Sequence, residues 1–76
     1  MSVQAYILIQ TEVGKASSVA AAINAIPGVS LAEGVTGPYV IMRAEAPSME
    51  EFGRAILSKV QAVPGITRTL TCPVTN

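Results

Sequence analysis

Few side chains in this sequence could do chemistry. There is no histidine, one cysteine (Cys72), two tyrosines (Tyr6 and Tyr39) and five carboxylates: Glu12, Glu33, Glu45, Glu50 and Glu51. Without histidine the usual general base near neutral pH is missing. The carboxylates do not form a metal-spaced cluster. Glu50 and Glu51 are adjacent at an expected helix start, where negative charge meets the positive end of the helix dipole. A nucleophilic Cys72 would need a base, and no histidine is present to serve; a small, apolar, buried cysteine is the better reading. Tyr6 and Tyr39 are acid groups or packing groups, and packing is the commoner role. Gly34, Gly37 and the Pro-Gly pairs mark turns rather than a phosphate cradle. Thr69 and Thr71 are more informative. Both hydroxyls fall on one face of the final strand, as ordinary β-strand threonines or as hydrogen-bond partners for a polar ligand such as an amino acid. These residues point to binding rather than catalysis, with no enzyme activity, metal or cofactor expected.

Size sets the next constraint. Seventy-six residues make a single domain, 1–76. A chain this short buries only about 60% of the surface its unfolded form exposes. One cysteine rules out an internal disulfide, yet half of the residues are apolar and only 13% are charged. The mean hydropathy is +0.49. Apolar surface buried between copies accounts for that excess. The basic residues Lys15, Arg43, Arg54, Lys59 and Arg68 balance the acids and are scattered. No basic stripe exists to follow phosphates, so no direct nucleic-acid contact is expected. No apolar run approaches the roughly 20 residues of a membrane span. No basic leader precedes the first strand, and a free cysteine fits a reducing, cytoplasmic setting.

The elements that must position these residues follow from periodicity. Val3 to Gln10 alternates, with Val3, Ala5, Ile7 and Ile9 against Gln4, Tyr6, Leu8 and Gln10, and its centre is apolar on both faces. Ala16, Val19, Ile23 and Ile26 then recur at helical spacing up to Pro27-Gly28. Val29 to Thr36 reads as a weaker strand, with Gly34 signalling a bulge or an edge. Gly37-Pro38 turns the chain. Tyr39 to Glu45 is a third strand, with Tyr39, Ile41 and Arg43 on one face and Val40, Met42 and Ala44 on the other. Ser48 to Glu51 is a capping box opening a helix with the stripe Met49, Phe52, Ile56, Val60 and Val63. Ile66 to Cys72 is the last strand.

An internal repeat joins these pieces. Ala25-Ile26-Pro27-Gly28-Val29-Ser30 recurs as Ala62-Val63-Pro64-Gly65-Ile66-Thr67, with Val19 matching Ile56 and Ile23 matching Val60. Two strand-helix-strand units of this length interleave as an α+β, ferredoxin-like βαββαβ fold: a four-stranded antiparallel sheet with two helices on one face. The other sheet face is left bare, and Tyr6, Leu8 and Met42 are its expected apolar members. A second copy packed face to face would cover it, so a homodimer is expected.

Val35-Thr36-Gly37-Pro38-Tyr39, Val63-Pro64-Gly65-Ile66 and Thr67-Arg68-Thr69-Leu70-Thr71 resemble the ligand-binding (effector) domain of Lrp/AsnC transcription regulators. The likeness runs from Ala5 to Val74 and begins at the first strand, so the chain looks like a stand-alone effector domain lacking the helix-turn-helix. The resemblance implies sheet-to-sheet dimers that assemble into octamer-like rings. It also implies an amino-acid effector bound between dimers. The missing helix-turn-helix motivates a further expectation, mixed assembly with a full-length Lrp/AsnC regulator whose oligomer the domain would bias. It places Thr36, Gly37, Pro38, Tyr39, Thr69 and Thr71 at the ligand. The family loop usually reads Gly-Asp-Tyr-Asp. Here it reads Gly37-Pro38-Tyr39-Val40, so the carboxylates suited to an effector's ammonium are absent. A purely structural oligomer and a small enzyme on the same fold are the alternatives.

Overall fold

Runs that alternate become strands, and runs with helical spacing become helices. The computed structural model describes residues 2–75. The elements are β1 (Val3–Thr11), α1 (Ala16–Asn24), β2 (Val29–Val35), β3 (Tyr39–Ala46), α2 (49–61) and β4 (Ile66–Pro73). The strands form one antiparallel sheet in the order β2-β3-β1-β4. This is the ferredoxin-like α+β fold expected from the repeat. Its hydrophobic core lies between the sheet and the helices. Ala5, Ile7 and Ile9 of β1 and Val40, Met42 and Ala44 of β3 meet Val19 and Ile23 of α1 and Phe52, Ile56 and Val60 of α2.

The two repeat units end their helices alike. Ile26 N–H donates to Ile23 O at 3.0 Å, and Val63 N–H to Val60 O at 3.1 Å. Gly28 and Gly65 then take φ of +97° and +96°, a region that side chains disfavour. Their carbonyls receive Glu45 N–H at 2.9 Å and Glu12 N–H at 2.8 Å. A Cβ on Gly28 would stand 3.1 Å from both the Glu45 carbonyl oxygen and Ile56 Cδ1. Each Pro-Gly turn thus stops a helix and seats the opposite unit.

Several expectations are corrected. Met42 is fully buried and pairs with Ile7 on the helix-covered side, so it does not lie on the bare face. It belongs to the alternating set of Val40 and Ala44, and strand pleating sends that whole set inward. Cys72 is exposed rather than buried, because it shares its side of β4 with Arg68 and Leu70 and stands opposite Tyr6. Met49 is also exposed. Ser48 caps the second helix by accepting from Glu51 N–H at 3.2 Å, but the Glu51 carboxylate pairs with Arg54 instead of reaching back. The middle of α2, Phe52–Leu57, is π-helical, and Ser58 N–H donates to Gly53 O across five residues. No side chain caps α1; Lys15 is its N-terminal flanking residue. Gly34 sits on the edge strand β2, as expected, whereas the irregularity in that strand falls between Val29 and Leu31.

Candidate functional site

The bare sheet face is built by the alternate residues of all four strands. Register places Leu31, Arg43, Tyr6 and Cys72 in one row across β2, β3, β1 and β4. The next row is Glu33, Ile41, Leu8 and Leu70, and the last is Val35, Tyr39, Gln10 and Arg68. Tyr6 is 43% exposed, Leu8 39% and Leu70 60%. Leu31 and Val35 are exposed as well. This is a broad apolar surface crossed by a few charges. The Arg43 guanidinium lies over the Tyr6 ring, 5.6 Å from its centroid, and donates to Gln4 Oε1. Its Nε is buried with no hydrogen-bond partner among the described residues.

Two shallow concavities lie at the hairpin end of the sheet. One, of about 370 Å³, is lined by Val13, Gly14, Ala16 and Ser17 at the start of α1 and by Gly37 and Pro38 of the β2–β3 turn. Pro38 O accepts from Thr11 N–H at 2.8 Å, which holds this turn against the end of β1. Val13 projects beside it, 90% exposed. The second, of about 220 Å³, opens on the bare face and is lined by Leu8, Gln10, Tyr39, Arg68 and Leu70. Among the described residues no group of three histidine, cysteine or carboxylate side chains could hold a metal ion. None of their helices is long and apolar enough to cross a membrane.

A family model described as the Lrp/AsnC ligand binding domain matches residues 4–76. The chain belongs to the Lrp/AsnC ligand-binding-domain family. No curated protein matches it in sequence. Among solved structures, the hypothetical protein PHS023 from Pyrococcus horikoshii is 31% identical, with a TM-score of 0.85 over 97% of this chain and 90% of that one. TTHA0845 from Thermus thermophilus shares 24% identity and superposes with a TM-score of 0.87 over 97% of this chain and 94% of that one. E. coli AsnC is 22% identical, with a TM-score of 0.86 over 97% of this chain but only 51% of AsnC. This chain therefore spans about half the length of AsnC, and at that identity the likeness is one of fold.

Within this Lrp/AsnC domain the residues expected at the ligand fall into three places. Thr36, Gly37 and Pro38 form the β2–β3 turn, and Gly37 and Pro38 line the first concavity. Tyr39 turns to the bare face and lines the second. Thr69 and Thr71 pair with Ile9 and Ile7, which puts them on the helix side of edge strand β4, half-buried. A single chain does not bring the six into one pocket. Val13, Ser17, Gln10 and Arg68 line the concavities without standing out in the sequence. The alternation of β1 and β4 carries the signal for Gln10 and Arg68, since both share a face with the apolar Leu8 and Leu70. Nothing in the local pattern marks Val13 or Ser17, which come beside the β2–β3 turn only through the fold.

Proposed function

We propose that this domain is a non-enzymatic, ligand-responsive assembly module: copies pair through the bare sheet face, and a small effector, such as an amino acid, binds where dimers meet. The observation that carries this is the bare face itself. Tyr6, Leu8, Leu31, Val35, Ile41 and Leu70 form one apolar surface that no layer of the described residues covers. Sheet-on-sheet packing about 10 Å apart would bury it. The turn residues Thr36, Gly37 and Pro38 and the helix-side Thr69 and Thr71 lie outside that contact, with Tyr39 at its edge, so together they form a rim where a further dimer could complete a pocket. Higher assembly into a ring and mixed assembly with a full-length Lrp/AsnC regulator extend the same reading. In that arrangement the domain would bias a regulator's oligomer and so its transcriptional output.

Three measurements test it. Sedimentation should show a dimer or larger at micromolar concentration, and titration calorimetry against the common amino acids should give heat with at least one of them. A dimer that gives no heat with any supports a structural oligomer instead. That second reading is favoured by the turn sequence Gly37-Pro38-Tyr39-Val40, which offers no carboxylate to an effector's ammonium. Pulldown from cell extract should recover a full-length regulator; recovery of none would count against co-assembly.

A further inference from the structure

The concavity on the bare face has polar groups that its own chain does not satisfy. Gln10 and Arg68 stand opposite each other on β1 and β4, and Tyr39 stands opposite Gln10 on β3. The three polar side chains therefore converge at one end of the face, above a floor of Leu8 and Leu70. Among the described residues none of the three makes a side-chain hydrogen bond, and Arg68 makes no ion pair. Glu33, on the same face, belongs to the opposite edge strand, three strand spacings or about 14 Å from β4, out of Arg68's reach. The β1–β4 ladder also shifts register between Gln10 and Thr11, leaving Thr67 as the extra residue beside Arg68. Such a bulge bends a strand and re-aims the side chain next to it.

We propose that this concavity is a binding site for a small monocarboxylate with a compact apolar body. The planar guanidinium of Arg68 presents two parallel N–H donors to a carboxylate, which is the strongest pairing available to it. Gln10 and Tyr39 supply further donors, and Leu8 and Leu70 seat the apolar part. A volume of about 220 Å³ suits a molecule of a few carbons. Arg68 is the one charged residue lining the site, so a 2-oxo acid is preferred over the matching amino acid, whose ammonium would find no carboxylate there. The site rests on the dimer reading for one feature only: a second copy on the bare face would roof it and exclude water, which strengthens the ion pair.

Calorimetric titration of the full chain with 4-methyl-2-oxopentanoate, beside leucine, tests this, with sedimentation run on the same samples. The oxo acid should bind, leucine should bind about tenfold more weakly or worse, Arg68→Gln should weaken the oxo acid by about tenfold or more, and Arg68→Lys should fall between. Arg68→Gln should sediment like the parent. No binding to a dimeric parent overturns the site and leaves the dimer standing. Equal binding by Arg68→Gln, or by leucine, overturns the assignment of the carboxylate to Arg68 or the selectivity. Loss of the dimer in Arg68→Gln would make Arg68 an interface ion-pair partner and also overturn the site. Arg68-dependent binding to a lone subunit would uphold the site and sink the dimer.

Discussion

Along β1, Ile7 and Leu8 are neighbours of similar size and chemistry, yet Ile7 is fully buried and Leu8 is 39% exposed. The same contrast repeats along β3, where Met42 is buried and Ile41 only partly so. Both faces of the sheet carry core-like residues, but the chain supplies helices for only one. On the covered face Phe52, Ile56 and Val60 interlock with Ile7, Ile9 and Met42. On the other, no second layer of the described residues covers Leu8 and Leu70, and Tyr6 meets the Arg43 guanidinium. Hydrophobicity states how much surface needs cover, while the placement of both helices on one side decides which face receives it.

Single substitutions on each face separate the two kinds of cover. The largest effect is expected on assembly from Leu8→Asp. In a face-to-face dimer it would bury one unpaired charge per copy, at a cost on the order of several kcal/mol each. Sedimentation should show lone subunits while circular dichroism still reports a folded chain. An unchanged assembly would mean that the bare face is not the contact. Next comes Phe52→Ala, which opens a cavity in the covered face and should cost about 3–5 kcal/mol in denaturant unfolding. A cost below about 1 kcal/mol would show that the helix layer is not the core.

Smaller effects probe how the helix layer is held. Gly28→Ala forces a side chain into positive φ against the Glu45 carbonyl and should cost about 1–3 kcal/mol by thermal unfolding. Gly65→Ala should cost less, because its new methyl meets the side chains of Lys15 and Val19 rather than backbone. Equal losses would mean the two turns are equivalent. Ser48→Ala removes the cap on Glu51 N–H and should lower stability by about 1 kcal/mol.

Much of this architecture is legible in the sequence. The repeat around Pro27-Gly28 and Pro64-Gly65 announces two like units, and strand alternation separates Ala5, Ile7 and Ile9 from Tyr6 and Leu8. Phase is harder where a strand is apolar on both sides. β3 offers Ile41 and Met42 with little to choose between them, and apolar character alone sends Met42 to the wrong face. Arg43 and Tyr39 hold the answer, since their set must be the less buried one. Residue type likewise buries Cys72, whereas its alternation with Arg68 and Leu70 exposes it. The π-helical stretch is not legible, although Gly53 stands within it. Phe52, Ile56 and Val60 are spaced by four, which drifts around a helix of 3.6 residues per turn. The wider π turn offsets that drift and keeps all three on the sheet. The site is the least legible part. The concavities draw on segments distant in sequence, such as Val13 with Pro38 and Gln10 with Arg68, and only the fold brings them together.

Sedimentation equilibrium of the purified chain at micromolar concentration decides whether a second copy covers the bare face. A mass at least twice the 7.8 kDa of one chain is expected. A stable species of 7.8 kDa would contradict it, because the apolar face would then stand in water without cover.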